Sequence, residues 1–159
     1  MAYLVDGNNF IGHTSSYDHR DPRGKYSLIA KLLIFNKIQK TKIIVVFDGP
    51  PDPEVTDKNF PERTLKILYP DRGHNADGII KDIISKRARE RRFRVVSSDR
   101  EIKDYAMDHG IKPLSCEDFN KQLKAVLKEN KDLKEMEKET HVPSPLEIDH
   151  WIDIFKKKR

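Results

Sequence analysis

Short runs of apolar residues alternate along the chain with longer segments of helical periodicity. Such runs predict buried strands, and they lie at Ala2 to Val5, Ile43 to Phe47, Phe93 to Val96 and Ile111 to Leu114, with Thr64 to Leu68 as an edge strand. Strands of this kind, separated by helices, are typical of a mainly parallel sheet that is covered on both faces. We therefore predict a three-layer α/β/α domain.

The segments between and after the strands predict four helices, three of them from an apolar face. They are Ser27 to Lys40, with Leu28, Leu32 and Phe35 flanked by Ile29, Leu33 and Ile38; Ala76 to about Arg91, with Ile79, Ile80, Ile83 and Ile84; Ser98 to about Gly110; and a segment with Phe119, Leu123, Val126 and Leu127. The third begins with Ser98-Asp99-Arg100-Glu101, which has the capping-box pattern, and Gly110 is expected at its C′ position.

The composition changes after Leu127, which predicts three parts. Residues 1–127 form the α/β domain, residues 128–143 a mixed-charge helix or linker, and residues 144–159 an amphipathic helix with a basic tail. That last helix places Ile148, Trp151, Ile152 and Phe155 on one face. We expect this face to dock on the domain or on a partner, because it would otherwise be an exposed apolar patch.

Composition and charge narrow the functional classes. Lys and Arg number 31 against 26 Asp and Glu, a formal charge of +5 that mildly favours polyanionic partners. Cys116 is the single cysteine, so an intramolecular disulfide and a zinc-finger cluster are excluded. The apolar runs are too short to span a bilayer, and the N-terminus has no signal-peptide pattern. We expect a cytoplasmic protein with no membrane partner, either a monomer or a homodimer.

Four aspartates are the main chemical signal. Asp6, Asp48 and Asp99 each follow a predicted strand, and Asp77 lies in the first turn of a predicted helix, on the side facing the sheet edge. Carboxylates gathered at one edge repel one another unless they share a cation. Because the available ligands are oxygens, one or two Mg²⁺ or Mn²⁺ ions are favoured over zinc. Such ions can activate water for phosphodiester hydrolysis.

Each aspartate also has a purely structural interpretation. Asp77 and Asp99 are placed to complement helix dipoles, while Asp6 and Asp48 are placed to begin turns. For any single aspartate, the structural interpretation is at least as good as the functional one. A chance convergence of all four at one edge is a much weaker explanation.

Two other enzyme classes do not fit the sequence. A phosphatase of the haloacid dehalogenase type needs a second acid two residues after the first, where Asn8 and Pro50 stand. A P-loop motif is absent.

Four motifs together resemble the YacP-like NYN domains of the PIN-like nuclease superfamily. They are Val5-Asp6-Gly7-Asn8-Asn9, Val46-Phe47-Asp48-Gly49, Asn75-Ala76-Asp77-Gly78-Ile79-Ile80 and Ser97-Ser98-Asp99-Arg100-Glu101, within residues 1 to 127. The resemblance implies a sheet of order 3-2-1-4-5 and a metal-dependent endoribonuclease acting on RNA, including messenger RNA on or near ribosomes. The alternatives are a non-catalytic RNA-binding module of the same fold and a nuclease acting on structured DNA.

The resemblance also implies roles for individual residues. Asp6, Asp48, Asp77 and Asp99 would be the catalytic and metal-binding acids, Asn8 would support the ligand network and Ser98 would contact phosphate. The family commonly has tyrosine directly after the glycine of the first motif, where this chain has Asn8 followed by Asn9, so the role of Asn8 departs from the family pattern. Arg72, His74 and Asn75, in the loop that enters Asp77, are further candidates for substrate contact, as is Arg100. The basic run from Lys86 to Arg94 is better explained as a solvated helix end.

Overall fold

The strands of the structure follow the predicted apolar runs closely. They are β1 (Ala2–Asp6), β2 (Lys42–Val46), β3 (Leu65–Leu68), β4 (Phe93–Val96) and β5 (Lys112–Leu114). The structure, a computed structural model, describes residues 1–17, 21–56 and 65–128. All neighbouring strands are parallel, and their order is β3-β2-β1-β4-β5. The predicted parallel sheet and its order are confirmed.

Five helices connect or follow the strands in the described part of the chain. They are α1 (Gly7–Thr14), α2 (Pro22–Gln39), α3 (Ala76–Lys86), α4 (Arg100–Asp108) and α5 (Cys116–Lys128). Side chains of β1 alternate between two cores, with Tyr3 and Val5 in the core that includes residues of α1, α2 and α5, and Leu4 in the core that includes residues of α3 and α4. The sheet is therefore the middle of three layers, as predicted.

The α1 helix was not predicted, because the Gly-Asn-Asn sequence at its start favours turns. Two observations explain it. Phe10 and Ile11 of α1 are almost fully buried. A Cβ atom on Gly7 would lie only 2.6 Å from the ring of Phe47, so glycine allows the helix to start close against β2. Tertiary packing therefore outweighs weak local propensity here.

The ends of two other predicted helices differ from the structure. The α2 helix starts at Pro22 rather than Ser27, because Asp21 caps it and proline fits the first helical turn. Ile38, predicted on its apolar face, is 41% exposed near the end of the helix. The α3 helix ends at Lys86 rather than near Arg91.

The capping residue of α4 also differs from the prediction. The side chain of Asp99, and not that of Ser98, accepts the hydrogen bond from the backbone N–H of Glu101. Gly110 follows the helix with a φ of 71°, the left-handed conformation expected at C′.

No helix in the described ranges has both the length and the apolar character needed to cross a bilayer. The predicted linker beyond Lys128 and the predicted C-terminal helix with Trp151 lie outside the described residues.

Candidate active site

The carboxyl ends of β1, β2 and β4 bring three of the predicted acids to one edge of the sheet. Asp6 is the last residue of β1. One residue, Phe47, separates Asp48 from the end of β2, and two residues, Ser97 and Ser98, separate Asp99 from the end of β4. Since β1 lies between β2 and β4, its aspartate is the central member of the group. Asp77 joins them from the first turn of α3.

Asp6 is the most buried of the four acids, with 6% of its surface exposed. The pKa of its carboxyl group is raised to about 6, mainly by burial and also by the negative charges of Asp77 and Asp99. The hydroxyl of Ser97 opposes this rise by donating a hydrogen bond to Oδ2 of Asp6 at 3.1 Å. A buried carboxylate among other acids is typical of a functional site rather than of a stabilising one.

Asp77 is electrostatically coupled to the same group. Its pKa is raised mainly by burial, then by the charges of Asp99, Glu101 and, more weakly, Asp48. The ammonium group of Lys81 acts in the opposite direction. The charges of Asp48 and Asp99 thus raise the pKa of Asp77, and Asp77 in turn raises that of Asp6, so the four predicted acids are electrostatically linked.

The carboxylates of Asp48 and Asp99 also have structural partners. Oδ1 of Asp48 accepts hydrogen bonds from the backbone N–H groups of Gly49 at 3.0 Å and Ala76 at 3.3 Å. Oδ1 of Asp99 accepts the N–H of Glu101 at 2.9 Å. Asp48 and Asp99 therefore also have structural roles, Asp99 as the N-cap of α4, while Asp6 makes no side-chain hydrogen bond that caps α1.

Whether these acids suit a divalent cation depends on their chemistry and on their arrangement. As a set of carboxylate oxygens they match what Mg²⁺ and Mn²⁺ prefer. In their present arrangement, no group of three or more His, Cys, Asp or Glu side chains within residues 1–17, 21–56 and 65–128 could hold an ion. In this arrangement one carboxylate oxygen of Asp48 and one of Asp99 accept backbone N–H groups.

The two asparagines after Asp6 connect the strand ends. Oδ1 of Asn8 accepts the backbone N–H of Asp48 at 2.9 Å, which joins α1 to the end of β2. Oδ1 of Asn9 accepts the backbone N–H of Ser98 at 2.8 Å, which joins α1 to the end of β4. It also accepts from the buried thiol of Cys116 at 3.2 Å. The asparagine pair therefore holds the segments bearing Asp6, Asp48 and Asp99 in place.

Ser98 and Arg100, two predicted substrate contacts, differ in their surroundings. The hydroxyl of Ser98 donates to Oε2 of Glu117 at 3.0 Å and accepts the backbone N–H of Cys116 at 3.0 Å, so it secures the start of α5. Arg100 is exposed in the first turn of α4, next to Asp99. A phosphate contact by Ser98 would compete with its present partners, whereas Arg100 is accessible.

The loop before α3 carries the remaining predicted contacts, Arg72, His74 and Asn75, all of them exposed. Asn75 caps α3 by accepting the N–H of Gly78 at 3.0 Å. His74 and Asn75 line an open cleft of about 480 Å³, to which Asp71 and Asp82 also contribute. Arg72 lies in the same loop but does not line this cleft.

The basic run after α3 has local partners. Arg87 pairs with Glu90 at 2.9 Å, and its guanidinium group lies 4.2 Å from the centre of the Phe93 ring. The guanidinium group of Arg94 donates to the backbone carbonyls of Arg91 and Phe93. These contacts agree with the interpretation of the run as a helix end.

Four residues near the acids were not predicted as part of the site: Asn9, Lys81, Ser97 and Glu101. The i to i+4 spacing from Asp77 would have placed Lys81 on the same helical face. The position of Ser97 directly after a buried strand would have placed it near Asp6. For Glu101 the sequence predicts only a capping role, because its proximity to Asp77 depends on how α3 packs against α4.

Comparisons with known proteins agree with this architecture. A sequence model of the YacP-like NYN domain matches residues 3–153. The crystal structure of Rae1 (YacP) from Bacillus subtilis has a TM-score of 0.65 at 16% identity, covering 100% of this chain and 94% of that chain. A point mutant of Rae1 (YacP) has a TM-score of 0.63 at 17% identity, covering 81% and 77%. At these identities the similarity shows the fold. No curated protein matches the sequence.

Proposed function

Because the chain belongs to the YacP-like NYN domain family, whose members are nucleases of the PIN-like superfamily, we propose that it is a metal-dependent endoribonuclease. One observation carries this proposal. Burial and the charges of Asp77 and Asp99 raise the pKa of Asp6 to about 6 at the carboxyl edge of the sheet. A fold gains no stability from a buried carboxylate with other acids beside it, so the arrangement points to function.

Asp6, Asp48, Asp77 and Asp99 are the residues that would hold one or two Mg²⁺ or Mn²⁺ ions. PIN and NYN nucleases generally use divalent metal ions. When bound, such ions activate water and offset the charge that develops on the phosphodiester. Binding would have to compete with the backbone hydrogen bonds of Asp48 and Asp99. Asp6 and Asp77, whose ionised forms are disfavoured in the present arrangement, stand to gain most from a neighbouring cation.

The protein's own groups position these acids. Ser97 donates to Asp6 through its hydroxyl and accepts the backbone N–H of Asp99 at 3.1 Å, so a single buried side chain joins the two acids. Asn8 and Asn9 secure the adjoining segments. These hydrogen bonds from Ser97, Asn8 and Asn9 hold several acids near one another.

RNA is the substrate that we propose. The formal charge of +5 favours a polyanion overall, while the exposed Arg72 and Arg100 flank the acids in the sequence and are accessible to a phosphate backbone. A nuclease that reads few bases relies on phosphate contacts, so binding is expected to weaken steeply with added salt.

The test is a cleavage assay with the purified protein on single-stranded RNA, structured RNA and structured DNA. We expect cleavage of RNA with Mg²⁺ or Mn²⁺, none with EDTA, and losses of orders of magnitude for Asp77→Asn. Asp104→Asn, an exposed acid on α4, is the matched control and should retain activity. RNA binding without cleavage under every metal condition would instead support a non-catalytic module, and cleavage of DNA alone would reassign the substrate.

A further inference from the structure

A lysine lies beside the acids, at the junction of α3 and α4. Lys81 is four residues after Asp77, which places both on one face of α3. The Nζ atom of Lys81 donates to Oε1 of Glu101, in the first turn of α4, and it lies 5.6 Å from the centre of the Tyr105 ring. The carboxylate and the ring together hold the ammonium group in one position.

This ammonium group faces the acids rather than bulk solvent alone. Its charge lowers the pKa of Asp77, against the raising effects of burial, Asp99 and Glu101. Lys81 is the cation that most strongly lowers the pKa of Asp77. The side chain of Lys81 is 30% exposed, so a ligand can reach it.

The pair with Glu101 contributes little to folding, because the carboxylate side is 69% exposed and solvent screens such a pair. The chain has a second pair on the same helix, Lys86 with Asp82 at 2.9 Å, in which both side chains are well exposed. Asp82 falls on the side of α3 away from Asp77 by helical spacing. The two pairs are chemically alike and differ in their distance from the acids.

We propose that Lys81 is a phosphate-binding residue of the site and that Glu101 competes with the phosphate for it. An ammonium group has three donors, so Lys81 can contact a phosphate oxygen of a nucleic-acid backbone while it stays over the Tyr105 ring. A polyanion approaching four carboxylates needs such a local cation, because the acids repel it. The proposal rests on the proposed function for the identity of the polyanion as RNA.

Opposite effects of the two partners test the proposal. Binding of a short, labelled single-stranded RNA would be measured by fluorescence anisotropy over a series of salt concentrations. All proteins would carry Asp6→Asn, so that binding is separated from cleavage. We expect Lys81→Gln to weaken binding and to reduce the slope of log K against log salt by about 0.7, the loss of one phosphate contact with a single strand. Lys81→Arg should restore that slope.

Glu101→Gln should strengthen binding, and by more than Asp104→Asn, which removes an equally negative but more distant charge from α4. Lys86→Gln should leave the slope unchanged. Equal weakening by Lys81→Gln and Glu101→Gln would mean that the pair is only structural and would overturn the proposal, as would an unchanged slope for Lys81→Gln. Thermal melting of each variant separates these outcomes from misfolding, with Lys81→Arg as the second variant.

The two proposals fail in different ways. If the native sequence cleaves RNA but the salt slope is insensitive to Lys81, the assignment of Lys81 is wrong and the nuclease stands. If the slope depends on Lys81 but the native sequence cleaves no RNA, the phosphate contact stands and the nuclease is wrong.

Discussion

Replacing Asp6 by asparagine is expected to stabilise the metal-free protein at neutral pH. Its carboxyl group is almost completely buried, and the charges of Asp77 and Asp99 add to the cost of ionising it. Asparagine has nearly the same shape and can still accept the hydrogen bond from Ser97, but it carries no charge. The substitution thus removes a destabilising charge and keeps the packing.

The magnitude follows from the pKa of Asp6. Folding raises this pKa from 3.8 to about 6, so the native state binds the proton more tightly than the unfolded state. Native stability is therefore lost as the pH rises from about 4 to about 6 and stays constant above that range. A difference of about two pH units corresponds to at most roughly 3 kcal/mol, and we expect a gain of about 1–3 kcal/mol for Asp6→Asn at neutral pH.

Urea denaturation in EDTA at about pH 4 and about pH 7.5 measures this gain, which should shrink to well under 1 kcal/mol at the lower pH. Asp104→Asn controls for the loss of an exposed acid. Adding Mn²⁺ should stabilise the native sequence more than the variant, because only the former keeps all four acids. The reasoning is refuted if Asp6→Asn is no more stable at neutral pH, or if its gain is the same at both pH values.

Two further predictions concern packing and substrate entry. Gly7→Ala should cost about 1–3 kcal/mol in urea denaturation, because the added Cβ would lie 2.6 Å from the Phe47 ring. Gly12→Ala meets no atom within 4 Å, so it should be neutral or stabilising, and equal losses for the two would contradict the close contact. Arg72→Gln should weaken RNA binding in a filter-binding assay more than Arg89→Gln does. The reverse order would show that the loop before α3 does not contact the RNA.

The strands and the parallel sheet could be anticipated because buried parallel strands are continuous apolar runs, and these are visible without any knowledge of packing. The order of the strands was implied only by the resemblance of the four aspartate motifs to a known family. The α1 helix could not be anticipated. Its Gly7-Asn8-Asn9 start resembles a turn, and only the contact of Gly7 with Phe47 shows why a helix is accommodated there. Local propensity is a weak guide wherever a close tertiary contact determines the backbone.

In the site, too, the sequence predicts some features, and others depend on tertiary packing. Acids at strand ends could be predicted because parallel strands place their carboxyl ends together, and helical spacing identified Asp77. The hydrogen bond from Ser97 to Asp6 and the pair of Lys81 with Glu101 depend on rotamers and on the packing of α3 against α4. The capping pattern beginning at Ser98 was ambiguous for a similar reason, because either Ser98 or Asp99 can cap a helix and the sequence does not say which side chain turns inward.

Calorimetric titration with Mn²⁺, combined with RNA cleavage rates of the same samples, tests the central claim most directly. The native sequence should bind one or two ions and cleave RNA only when they are bound. Asp6→Asn and Asp99→Asn should each lose Mn²⁺ affinity and lose cleavage by orders of magnitude while remaining folded. Variants that bind Mn²⁺ as tightly as the native sequence and cleave RNA at its rate would contradict a metal-dependent nuclease site built from these acids.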